Sequence, residues 1–213
     1  MKEGTSRREG TQEMPAQPHD APEQAPIALL MIDVINDLAF ADGKKLLQQA
    51  LPMARRLAAL KRRTRRLGIP RIYVNDNFGR WQSDFRKVLR HCLSEESRGK
   101  SLATLLRPDA EDYFVLKPKH SGFYSTTLEL LLQALGVHTL ILTGIAGNIC
   151  VLFTANDAYM RDYALVIPAD CVASNTVQEN KSALHLMQHV LKADIRPSTE
   201  LDLQHLQSAP RPQ

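Results

Sequence analysis

The sequence predicts a three-layer α/β/α sandwich built on a mostly parallel, Rossmann-like sheet. Two observations carry this. Short apolar runs alternate along the chain with longer segments of helical periodicity, and no hairpin turn signal joins one run to the next. Such alternation indicates βαβ units, whose right-handed crossovers cover both faces of a parallel sheet with helices.

The elements follow in order. Ile27 to Ile32 is a continuous apolar run that ends at Asp33, the first strand. Leu46 to Leu67 has helical periodicity and stops at Gly68. Arg71 to Val74 is a second short strand, entered through Ile69-Pro70. The pattern from Ser83 to Leu106 is mixed and partly helical. Tyr113 to Leu116 is the third strand, Thr126 to Leu135 a helix, and Gly136 its C-terminal stop. Thr139 to Leu142 is a fourth buried strand ending at Thr143-Gly144, and a helix is expected from Ile149 to Arg161. Ala164 to Ile167 is a fifth strand, Val177 to Leu191 a last helix, and Ile195 the start of a short final strand.

The 213 residues, 44% of them hydrophobic, suffice for one well-buried core and are few for two. One domain is expected over residues 26–207. Residues 1–25 lack an apolar run and are rich in Pro, Gln, Glu and Ser, which suits a disordered arm. That arm has no apolar h-region of a secretory signal, and its three basic residues are outnumbered by five acidic ones, unlike a mitochondrial presequence. Residues 208–213 are expected to form a loose tail. No apolar stretch is long enough to span a membrane. Cys92, Cys150 and Cys171 have unrelated spacings that suggest neither a disulfide framework nor a zinc finger, so a reducing, cytoplasmic setting is expected.

The formal charge is +4, and much of the basic excess lies in Arg55-Arg56 and the run Lys61 to Arg66. Such a run can touch nucleic acid. Leu57, Leu60 and Leu67 recur through it at helical spacing, however, which favours the solvated face of a helix and no nucleic-acid partner.

In an open parallel sheet, ligands bind beyond the carboxyl ends of the strands. Past the first strand comes Asp33, with Asp37 as a competitor four residues on. Past the second come Asn75, Asp76 and Asn77. The third ends at Lys117, with Lys119 as its rival, and the fourth leads into Gly144 to Ile149 and then Cys150. An acid, a base and a thiol thus reach one edge of the sheet. A thiol in the first turn of a helix, near an ammonium, is expected to favour the thiolate. An aspartate beside it can take and return a proton. Cys150 alone can also be a small buried hydrophobe, as Cys92 and Cys171 are expected to be.

Three segments together resemble the isochorismatase-like cysteine hydrolases, the superfamily of nicotinamidases and N-carbamoylsarcosine amidase. They are Met31-Ile32-Asp33-Val34-Ile35-Asn36-Asp37, Lys117-Pro118-Lys119-His120-Ser121-Gly122-Phe123, and Gly144-Ile145-Ala146-Gly147-Asn148-Ile149-Cys150-Val151. The likeness runs from about Ile27 to Asp194. It implies a catalytic set of Asp33, Lys117 and Cys150, and a cis peptide between Ile145 and Ala146. That peptide would aim the Ala146 N–H, with that of Cys150, at a developing oxyanion. Gly147 stands where the family often has Thr, Ser or Asp.

Nicotinamidases of that superfamily bind a divalent metal through an Asp-x-His pair after the second strand and further histidines. Here the stretch is Val74-Asn75-Asp76-Asn77-Phe78, and phenylalanine cannot ligate a metal. A site with no metal and no cofactor is expected, with Asn75, Asn77, Phe78 and Trp81 lining the pocket. The resemblance implies hydrolysis of a small amide or ureido compound through a thioester, and a homodimer or homotetramer. A vinyl-ether hydrolase of the isochorismatase type, which needs no thiol, and a catalytically silent interaction module are the rival functions.

Overall fold

The computed structural model describes residues 24–78 and 84–209. Most of the expected N-terminal arm, the end of the expected tail and Trp81 lie outside them. Gln24 and Ala25 are described, and the Ala25 N–H donates to the Leu135 carbonyl at 2.8 Å.

The strands are β1 (Ile27–Ile32), β2 (Arg71–Asp76), β3 (Tyr113–Lys117), β4 (Thr139–Ile145), β5 (Ala164–Val166) and β6 (Val172–Ala173). The helices are α1 (Gly43–Arg66), α2 (Phe85–Cys92), α3 (Lys100–Leu105), α4 (Leu128–Ala134), α5 (Leu152–Tyr159), α6 (Val177–His189) and α7 (Leu203–Ser208). Strand order is β3-β2-β1-β4-β5, with β6 paired to β4. Every pairing among these strands is parallel, as in the predicted sandwich.

β1 lies at the centre, and its composition explains why. Side chains alternate across a strand, so a strand covered on both faces must be apolar throughout. Ile27, Leu29 and Met31 join Leu57 and Leu60 of α1 in one core. Ala28, Leu30 and Ile32 join Leu128 of α4, Ala155 of α5 and Met187 of α6 in the other. Leu46, Ala50, Met53, Leu57 and Leu60 of α1 are buried, at spacings of three and four. The helix itself begins at Gly43, earlier than the apolar run.

The basic run of α1 is less solvated than its sequence suggests. Lys61 is buried, and its ammonium meets Asp112 at 2.9 Å and the Arg107 carbonyl at 2.7 Å. Arg63 donates to the carbonyls of Ser198 and Leu201, tying the C-terminal segment to the helix. Charge here is spent on packing that residues far along the chain supply.

Other differences are local. The mixed region resolves into α2 and α3. The expected final strand at Ile195 is a single bridge between Asp194 and Val166. The two-residue β6 and the short α7 went unpredicted, because neither is long enough to show a period. Among the described residues, no helix is long and apolar enough to cross a membrane.

Candidate active site

The carboxyl ends of β1 to β4 meet at one cavity of about 480 Å3. Asp33 follows β1 directly, in the left-handed backbone region at φ 51°. Its Oδ1 accepts the Asp76 N–H at 2.7 Å, and its Oδ2 lies 2.9 Å from the Lys117 ammonium. Lys117 ends β3 and is fully buried. Its Nζ also donates to the Lys119 carbonyl at 3.0 Å and approaches Cys150 Sγ at 3.5 Å. Lys119 thus contributes its backbone to the cluster, while the ammonium in it is that of Lys117. Asp33 rather than Asp37 meets Lys117.

Beyond β4 the chain turns sharply. The Ile145–Ala146 peptide is cis, and residues Gly147–Val151 form a π-helical turn that runs into α5. Gly144 has φ 114°, and a Cβ there would lie 2.1 Å from the Ile32 carbonyl oxygen, so the loop can cross the end of β1 only on glycine. Gly147 is crowded by side chains instead. A Cβ would come within 2.6 Å of Asn180 Oδ1 and 2.9 Å of Ser174 Oγ, so no side chain from this position reaches the cavity. Asn180 of α6 and Ser174 thus occupy the space that a side chain at Gly147 would need.

Cys150 is half-buried, whereas Cys92 and Cys171 are buried; all three are free. The surroundings of the thiol oppose the expected thiolate. Burial and the neighbouring Asp33 carboxylate push the Cys150 thiol up to about 12, and the opposing pull of Lys117 is the smaller influence. Burial likewise raises Asp33, against the pull of Lys117 and of hydrogen bonds from Cys150 and Lys117. For Lys117, burial works against the charge, but Asp33, Cys150 and Asp76 together outweigh it and keep the ammonium charged. A protonated thiol beside a carboxylate more basic than usual is suited to proton transfer during attack.

The cavity is lined by Asp33, Cys150, Ile145 and Ala146, as the motif resemblance implied, and by Phe78. Asn75 and Asn77 are not in its wall. Asn75 is wholly buried and donates to the Ile35 carbonyl at 2.6 Å, holding the segment after β1; the Asn77 N–H donates to the Lys117 carbonyl at 3.1 Å. Sequence reasoning missed His120, Phe40 and Ile149, which also line the cavity. His120 Nδ1 is 4.0 Å from Cys150 Sγ, and its ring packs on Phe153. It stands inside the lysine motif, so its position in sequence could have flagged it. Phe40 and Ile149 gave no signal beyond hydrophobicity. Among the described residues, no group of three or more His, Cys, Asp or Glu could hold a metal ion.

The isochorismatase domain matches residues 27–195. The chain belongs to the isochorismatase family. An uncharacterised isochorismatase family protein of Bacillus subtilis, YaaI, is 45% identical over 174 residues, which are 82% of this chain and 95% of that protein. The ureidoacrylate amidohydrolase RutB of Methylobacterium radiotolerans is 31% identical, over 84% of this chain and 78% of its own. The crystal structure of N-carbamoylsarcosine amidase from Thermoplasma acidophilum superposes with a TM-score of 0.63 at 28% identity, over 83% of this chain and 98% of that one. This isochorismatase-family chain is accordingly a hydrolase related to amidohydrolases.

Proposed function

We propose that this chain is a cysteine hydrolase that cleaves a C–N bond of a small amide or ureido compound through a covalent adduct on Cys150. The reading rests on one observation, the Lys117 ammonium set 2.9 Å from Asp33 and 3.5 Å from Cys150 at an open cavity. The names of the amidohydrolase RutB and of N-carbamoylsarcosine amidase support the bond class.

Asp33 takes the Cys150 proton as sulfur attacks the carbonyl carbon. The oxyanion is received by the backbone N–H groups of Ala146 and Cys150. Protonated Asp33 then gives its proton to the departing nitrogen, the C–N bond breaks, and a thioester remains, or a thiocarbamate where the carbonyl was ureido. Water delivers a proton to Asp33 and its oxygen to the adduct, and the thiolate leaves and recovers that proton. Lys117 holds Asp33 in place and offsets negative charge on both partners. The reading needs no metal, since Phe78 brings no donor atom to the cavity wall.

Cys150→Ala tests it. Against a panel of amides and ureido compounds, ammonia or amine release should vanish while the circular dichroism and melting curve stay those of the parent. Turnover that survives the substitution would defeat the proposal and favour a hydrolysis that needs no thiol, such as that of a vinyl ether.

A further inference from the structure

The charge around the cavity bears on which amides can enter it. Three carboxylates line the wall, those of Asp33, Asp37 and Asp76. The Asp37 and Asp76 side chains keep 20% and 34% of their surface exposed, so both face solvent in the cavity rather than protein alone. Among the described residues, positive charge within reach is scarce, and His120, in the wall 4.0 Å from Cys150 Sγ, adds some only when protonated. Lys117 is spent on Asp33 at 2.9 Å and lies 3.9 Å from Asp76. His91 meets Asp37 at 2.8 Å and offsets it only when protonated. Arg98 donates to the carbonyls of Leu38 and Phe40, and neither it nor any other Lys or Arg is among the described lining residues. The rest of the wall is largely apolar, with Phe40, Leu46, Phe78 and Ile149.

We propose that this cavity selects amides that carry an uncharged or cationic group on an apolar body and disfavours those that carry a carboxylate. The inference deepens the amidohydrolase reading and rests on it for the word amide. A ureido acid would bring its carboxylate against those of Asp37 and Asp76, with Asp33 already offset by Lys117, in a partly desolvated space where like charges are costly. An ammonium or a neutral group meets no such penalty. The whole chain carries a formal +4 and would attract anions, so any preference for cations at Cys150 must arise locally.

Thiol labelling tests the charge without requiring turnover. Full-length protein is treated at about pH 8, above the ordinary imidazole range, with three methanethiosulfonates that bear a trimethylammonioethyl, a methyl or a sulfonatoethyl group. Each forms a mixed disulfide with Cys150 and releases methanesulfinate. Rates are read for Cys150 by mass spectrometry and divided by those for a small free thiol. The cationic reagent should exceed the anionic one by about ten-fold or more, with the neutral reagent between. Asp37→Asn and Asp76→Asn should each shrink that ratio. An anionic reagent as fast as the cationic one would overturn the inference, and so would a ratio untouched by both substitutions. A parallel screen of matched neutral, cationic and carboxylate amides separates the two claims. Cleavage that favours the carboxylate amide sinks the selectivity alone. No cleavage of any amide, with the labelling ratio intact, sinks the amidohydrolase reading and leaves the charge selection of the cavity standing.

Discussion

The two ends of the β2–β3 strand pair hold buried ion clusters made from the same kinds of group, and they serve different ends. At the amino ends, Asp112 has a fully buried carboxylate that meets Arg71, meets Lys61 at 2.9 Å and accepts the Asp109 N–H at 2.8 Å. Tyr73 closes the cluster from below, with its hydroxyl on the Leu106 carbonyl and the Lys61 ammonium over its ring. At the carboxyl ends, Asp76 pairs in register with Lys117, and Lys117 meets Asp33 from the neighbouring strand. Here a thiol replaces one of the partners and a cavity opens beside it. A saturated carboxylate ties strands to helix α1. A carboxylate that shares its cation with an ionisable sulfur can move a proton. Opening to a cavity, rather than burial or ion pairing, separates the candidate catalytic cluster from the structural one.

That comparison can be broken from either side. Asp33→Asn keeps the shape but removes the base, and turnover should drop by about 10²–10⁴-fold while the protein still melts cooperatively. A fall of less than ten-fold would strip the carboxyl-end cluster of its special role. Asp112→Ala removes the fully buried carboxylate between Arg71 and Lys61 and leaves these buried cations only the more exposed Glu111 and Asp109. Chemical denaturation should show a loss of about 3–5 kcal/mol, with the activity of the folded fraction unchanged. If activity falls in step with Asp33→Asn instead, the two ends are not separable.

A pH profile sharpens the contrast. Burial holds the Asp33 carboxyl above its ordinary 3.8, and the base works only when ionised. On acidification, kcat/KM should therefore fall at a pH above that of a free aspartate side chain; an inflection at or below it would assign the base elsewhere. The smallest effect expected is at His120, which faces the thiol without touching Asp33 or Lys117 in the resting cluster. His120→Gln should raise KM several-fold and leave kcat within about two-fold. A loss of kcat comparable to that of Asp33→Asn would make His120 a proton carrier instead.

The sequence alone determined the layer order and, through the resemblance of three motifs, named the members of the cluster. A strand buried on both faces must be apolar at every position, so β1 announces itself as Ile27 to Ile32, and the residue that ends such a strand sits at the sheet's edge. Asp33 was legible for that reason; Lys117, at the end of β3, and Cys150, in the turn beyond β4, were singled out by the resemblance of their motifs. What tertiary structure decided is everything that depends on distance across the chain. Asn75 was expected in the cavity and instead holds the Ile35 carbonyl behind it. Lys61 appeared to belong to a solvated helix face and is buried against Asp112. The thiol of Cys150 was expected to favour the thiolate, and burial and Asp33 instead push it up, because a helix position and a nearby lysine are visible in sequence but the depth of burial and the closeness of Asp33 are not. Periodicity carries the local geometry of one strand or helix; desolvation and charge balance are sums over neighbours that only the folded chain assembles.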